Sequence, residues 1–242
     1  MMSTTVSNPQ AETHTFGSSD LRLPDELRGP LRAHLEQLRQ GYLRRGWAGR
    51  VGFGKRPALV VIDMTRFWLD SGQQIGSDLE SVVAGCARAL DAARAAGIPI
   101  YFTTFAHDPA APASPHDRKL QLALSDNAGD LFDISPRLGR RPTETLVRKR
   151  YASAFKGTNL HEMLTGLGID TLIVTGISTS HCVYATCRDA TDSFRVIVPR
   201  ETVGERCEIM HEVNLLDIDI DLGDVMPLAE VENYLAAVSI PW

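Results

Sequence analysis

Two runs of this chain, ALVVID at 58–63 and TLIVTG at 171–176, are apolar at almost every position and rich in β-branched residues. A strand with one solvated face alternates polar and apolar residues. An unbroken run of this kind is a strand covered on both faces, the mark of a parallel sheet between two layers of helices. Segments with helical periodicity separate such runs. We expect strands near 58–63, 98–104, 145–148, 171–176 and 194–198 and a short one around 222–226, with helices near 79–96, 159–167, 181–193 and 206–216 and one running to about 238. Gly97-Ile98-Pro99 and Gly168-Ile169-Asp170 read as helix stops followed by strand starts. The expected architecture is α/β, a Rossmann-like three-layer α/β/α sandwich on a mainly parallel six-stranded sheet.

Residues 1–20, rich in Ser, Thr and Asn, are expected to form a disordered tail. Residues 21–242 suit one domain of ordinary globular composition, 43% hydrophobic and 23% charged. From Asp25 to Leu43 a helix is expected with Leu27, Leu31, Leu35, Leu38 and Tyr42 along one side, packed on the domain or on another subunit. The net charge of −5 argues against nucleic acid or anionic membranes as partners. No apolar run approaches the ~20 residues that span a bilayer. Four cysteines without a secretory leader point to a reducing cytoplasm. No G-x-G-x-x-G follows the first strand, which excludes the usual dinucleotide fingerprint.

In an open α/β sheet, ligands bind beyond the carboxyl ends of the strands. Cys182 lies there, in TLIVTGISTSHCVYATCRDA at 171–190, after a turn of small residues and at the start of a helix-period segment. Helix N–H groups at that point would favour a thiolate and could hold an oxyanion. A lone cysteine at such a junction is more often a core residue. Asp63 ends another strand, and Lys149 lies just past a third, in TLVRKRYASAFKGT at 145–158. An aspartate can take the thiol proton and return it to a leaving amine. A lysine beside it orients the carboxylate and offsets the thiolate charge.

Together these residues resemble a known family. The aspartate after the first strand, the lysine before Tyr-Ala-Ser-Ala-Phe-x-Gly-Thr, and Gly-x-x-Thr-x-x-Cys-Val are similar to the isochorismatase-like cysteine hydrolases. PRETVGER at 199–206 and NLLDIDIDLGDV at 214–225 resemble an amidase subgroup acting on N-carbamoyl compounds. The resemblance implies Cys182 as nucleophile, Asp63 as proton shuttle and Lys149 as its cationic partner. It also implies a cis Ile177–Ser178 peptide, with the Ser178 and Cys182 N–H groups as the oxyanion hole. Arg206 would hold a substrate carboxylate, and Phe67, Tyr151, Thr179 and His181 would lie beside the substrate. His181 and Tyr184 depart from the subgroup pattern, so the substrate is not carried over.

The implied activity is cysteine-dependent hydrolysis of a small carboxylate-bearing amide or N-carbamoyl compound, releasing ammonia through a thioester, without a cofactor. Alternatives are a vinyl ether hydrolase or a catalytically silent binding protein of the same fold. His107, Asp108 and His116 lie where some family members bind a metal, but their spacing differs and prolines surround them, so they read as a surface loop with no metal. Cys182 and Cys187 do not form a C-x-x-C pair, and Cys86 and Cys207 read as structural. The resemblance further implies a homo-oligomer, a tetramer or a dimer.

Overall fold

The computed structural model describes residues 21–73, 75–108, 110, 112–120 and 128–238. The segment 1–20, expected to be a disordered tail, lies outside them. Seven parallel strands form one sheet: β1 (Pro57–Ile62), β2 (Ile100–Phe105), β3 (Thr145–Lys149), β4 (Thr171–Ile177), β5 (Arg195–Pro199), β6 (Val203–Gly204) and β7 (Asp224–Met226). Their order is β3-β2-β1-β4-β5-β7, with β6 paired to β4 at Gly176 and Ile177. All six expected strands are present. The seventh, β6, corrects the count: two residues are too few to leave a periodicity signal.

The helices are α1 (Asp25–Leu43), α2 (Arg66–Leu69), α3 (Glu80–Ala96), α4 (Pro115–Leu120), α5 (Leu160–Gly166), α6 (Tyr184–Ala190), α7 (Glu208–Asp217) and α8 (Leu228–Ala237). Strand alternation sorts the core into two layers. Ala58, Val60 and Ile62 of β1 point to the side covered by Leu164 of α5, Cys187 of α6 and Leu215 of α7. Leu59 and Val61 point to the other, against Val83 and Leu90 of α3 and Val231 and Leu235 of α8. Every residue of β1 and β4 is buried. The period of two thus serves two buried faces at once, which is why these runs are apolar at almost every position; the buried Thr175 satisfies its hydroxyl on the Val60 carbonyl.

The segment expected as a helix from His181 begins earlier, as a π-helical turn over Thr179–Val183 that continues into α6. Helix α1 has the expected limits and lies on the outside of the domain, one of the two positions expected, but its apolar side is not what holds it there. It has no buried residue, and Leu27, Leu38 and Tyr42 are exposed. Instead, Arg28 pairs with Glu208, Arg32 with Glu212 and Arg39 with Asp219, so α1 meets α7 and the turn after it through charges. Leu31 and Leu35 are half-buried, Leu35 lying beside these arginines in the cleft beneath the helix, while the rest of the stripe stays in solvent. No helix among the described residues is long and apolar enough to cross a membrane.

Candidate active site

The ends of β1 and β4 are held unusually close. Gly176 has φ +107°, and a Cβ there would come within 2.1 Å of the Ile62 carbonyl oxygen, so only glycine fits. Immediately after Ile62, Asp63 adopts a left-handed φ of +49° and is buried. A non-glycine residue in that region is uncommon. Its backbone N–H donates to Thr103 Oγ1 at 3.1 Å, and the Thr103 hydroxyl donates back to Asp63 Oδ1 at 2.6 Å. Thr103 sits on β2, so the neighbouring strand fixes one carboxylate oxygen and leaves Oδ2 for another partner.

That partner is Lys149. Its side chain crosses the end of β2 from β3, a span only a long stem can cover, and Nζ lies 2.7 Å from Asp63 Oδ2. The same ammonium donates to the Tyr151 carbonyl at 3.1 Å and to Cys182 Sγ at 3.3 Å. Both charged side chains are almost wholly buried, at 2% and 4% exposed. Asp63, Lys149 and Cys182 therefore converge from three strand ends. Burial opposes the Lys149 charge, but the Asp63 carboxylate and the Cys182 sulfur outweigh it, and the ammonium titrates above the ordinary lysine value.

Cys182 departs from the expectation of a ready thiolate. Burial, reinforced by the Asp63 carboxylate, pushes its thiol up to about 12, and Lys149 offsets only part of this. The sulfur is a neutral thiol beside a carboxylate that can receive its proton. Cys86 and Cys187 are also pushed up to about 12 by burial, with no carboxylate beside them. The Ile177–Ser178 peptide preceding the π-helical turn is cis.

A cavity of about 300 Å³ opens over these groups. Asp63, Lys149, Ser178 and Cys182 form its floor; Phe67, Phe105 and Phe132 form an aromatic side, and Tyr151, His181 and Arg206 also line it. Arg206 follows directly from β6, so the strand missed in the sequence is the one that delivers this guanidinium. Its Nη1 donates to Glu205 Oε1 at 2.8 Å and to Ser178 Oγ at 3.3 Å, and it sits over the Trp68 ring. Thr179, expected beside the substrate, is not brought there. It is fully buried, donates to the Gly204 carbonyl and meets His211 Nδ1, because its side chain points back toward β6 and α7.

His107, Asp108 and His116, read in the sequence as a surface loop, all line the cavity. His107 packs against Phe132, and the His116 ring stands 6.5 Å from that of His181. Among the described residues no group of three or more His, Cys, Asp or Glu side chains is arranged to hold a metal ion. Glu205 was also missed. The clue in the sequence was an acid next to the arginine inside PRETVGER. A larger cleft of about 1000 Å³ lies beneath α1, lined in part by the arginine–acid pairs that hold that helix; it reaches Glu205 and Arg206 but contains neither Asp63 nor Cys182.

Similarity to other proteins agrees with this geometry. The chain is 37% identical over 205 residues to an N-carbamoylsarcosine amidase of an Arthrobacter species, covering 81% of this chain and 78% of the relative. It is 34% identical over 190 residues to a maleamate amidohydrolase of Pseudomonas putida, covering 74% and 87%. The crystal structure of an isochorismatase family protein from Desulfovibrio vulgaris superposes with a TM-score of 0.67 at 27% identity, over 76% of this chain and all of that one. The profile of the isochorismatase domain matches residues 57–230, from the first strand to the last helix and with every residue of the cavity floor inside it, and the chain belongs to that family.

Proposed function

We propose that this protein is a cysteine-dependent amidohydrolase acting on a small amide or N-carbamoyl compound that bears a carboxylate. The observation that carries the reading is the contact of Lys149 Nζ with both Asp63 Oδ2 and Cys182 Sγ, at 2.7 and 3.3 Å, on the floor of a cavity. The amide-cleaving activities named for the two relatives support it.

Asp63 takes the Cys182 proton as the sulfur attacks the amide carbonyl, and Lys149 balances the charge that passes between them. The peptide N–H groups of Ser178 and Cys182 receive the oxyanion. As the tetrahedral adduct collapses, Asp63 returns the proton to the departing nitrogen, ammonia leaves, and a thioester remains. Water, activated by the same carboxylate, then attacks the thioester carbonyl; the acid departs and the thiol is restored. A thiol held neutral in the resting state suits this order, because the proton needed by the leaving group is stored on the nucleophile until substrate arrives. Arg206 offers a planar fork to the substrate carboxylate, with Phe67, Tyr151 and His181 around it. These steps use only the chain's own residues and no cofactor or metal.

The test is ammonia release from a panel of N-carbamoyl amino acids, simple ureides and dicarboxylic monoamides, with chelator present. We expect release from a carboxylate-bearing member, and in Cys182→Ala its loss with retained substrate binding by calorimetry. Turnover surviving in that variant would exclude the covalent route. We also propose that the protein is a homo-oligomer, a tetramer or a dimer. The outward apolar face of α1, together with exposed Ile209, Met210 and Val213 on α7, supports self-association.

A further inference from the structure

Beside the catalytic floor lies a second buried carboxylate that the mechanism above does not use. The Glu205 side chain is 1% exposed. Its Oε2 accepts from the Ser180 backbone N–H at 3.0 Å and from the Ser180 hydroxyl at 2.6 Å. Its Oε1 accepts from the Arg206 backbone N–H at 2.9 Å and from Arg206 Nη1 at 2.8 Å. All four donors belong to Arg206 or to the turn between Ser178 and Cys182. A carboxylate that served only to fasten the layers would bond to the elements packed around it. Burial opposes the charge, yet Arg206 and Ser180 hold the carboxyl below the usual glutamate range, so it is ionised at neutral pH.

The chain of bonds reaches further. Having given its one proton to Glu205, the Ser180 hydroxyl can only accept at the 3.1 Å contact with His181 Nδ1. This requires the proton on Nδ1, leaving Nε2 of a neutral ring as an acceptor on the cavity wall. On the other side, Arg206 Nη1 also touches Ser178 Oγ. We propose that Glu205 is the positioning residue of this site: one carboxylate sets the turn that carries the oxyanion donors, the guanidinium that reads the substrate carboxylate, and the tautomer of His181. The oxyanion part rests on the amidohydrolase reading; the hold on Arg206 does not. Since Glu205 also neutralises Arg206, it trades anion affinity for fixed geometry.

Glu205→Gln separates these effects. An amide has one acceptor oxygen, so it can serve the Ser180 pair or the Arg206 pair but not both. For a compound the wild type hydrolyses, kcat should fall about 10- to 100-fold, the scale of a small misplacement of catalytic groups. KM should stay level or fall, because Arg206 has lost its competing anion. Glu205→Asp, which keeps the charge, should recover part of kcat. Independently of any substrate, alkylation of Cys182 followed by peptide mass spectrometry should show an iodoacetate-to-iodoacetamide rate ratio raised roughly fivefold in Glu205→Gln, the scale of one freed ion pair, with the iodoacetamide rate itself little changed. A kcat within about twofold of wild type, an unchanged ratio, or an equal fall of kcat and iodoacetamide rate that Asp does not relieve would each overturn the proposal. If the wild type releases ammonia from no compound, the amidohydrolase reading fails alone and the alkylation ratio still decides whether Glu205 governs Arg206.

Discussion

Lys149→Met is the perturbation that asks most of this structure. Methionine keeps most of the stem and its packing but removes the ammonium that contacts Asp63, Cys182 and the Tyr151 carbonyl. The ion pair is buried, so the loss is not that of a surface bridge, which is worth about 0–1 kcal/mol. Removing one member of a buried pair strands the other charge, and such changes cost roughly 3–5 kcal/mol. For a chain of this length each kcal/mol lowers the melting temperature by about 2–4 °C, so the variant should melt about 6–20 °C below wild type.

The pH dependence of this gap gives a second check. In wild type the Lys149 pKa is raised, so its stabilising contribution is complete below the ordinary lysine value and disappears as pH rises through the folded one. The gap between the two proteins should therefore be full near neutrality and narrow as pH rises through the raised Lys149 value. The assay is urea unfolding across pH, with Asp63→Asn and the double variant completing a cycle. We expect the double variant to be more stable than the sum of the single losses predicts, by about 1–3 kcal/mol. A Lys149→Met loss under about 1 kcal/mol, the size of an exposed pair, or strict additivity in the cycle, would refute the account of Asp63 and Lys149 as a desolvated pair.

Two other predictions concern the sulfur and the surface. Because burial and Asp63 push the Cys182 thiol up to about 12, its alkylation by iodoacetamide should show no inflection near the ordinary thiol value of about 8.5 when the rate is followed from neutral to mildly alkaline pH; a titration centred there would mean that the thiol is not held neutral. The double change Leu38→Lys and Tyr42→Lys on the exposed face of α1 should shift a homo-oligomer toward smaller species in light scattering without lowering the melting temperature of the monomer, and an unchanged mass would remove α1 from the interface.

The sequence exposed Asp63 and Cys182 for one reason: each follows a strand whose residues are all buried, Asp63 directly and Cys182 after a short turn, and such ends are where an α/β sheet can hold a polar group over open space. Lys149 was less visible, a lysine flanked by two arginines, and it stood out only when set beside Asp63 and Cys182. What stayed hidden depends on contacts distant in sequence. Glu205 gains its meaning from Ser180, 25 residues away, and His107 and His116 from the cavity they line together with Phe132 and His181. Which members of the α1 stripe stay exposed was not legible, since the helix is seated by pairs to Glu208, Glu212 and Asp219, some 180 residues later.

A division of labour follows from where the two buried carboxylates sit. Asp63 is fixed by Thr103 on one oxygen and meets Lys149 with the other, so it has one side open to proton exchange with the sulfur. Glu205 has both oxygens filled, each by two donors, and leaves no place for a transferable proton. Both acids face a cation, yet saturation makes one a fixed strut where partial satisfaction leaves the other able to act. The same contrast explains why burial is compatible with chemistry here. The sheet supplies Asp63 and Cys182 from adjacent strands pressed together at Gly176, so proton transfer needs no backbone movement. The turn and the arginine after β6 lie outside the strands, and a saturated carboxylate holds them in place.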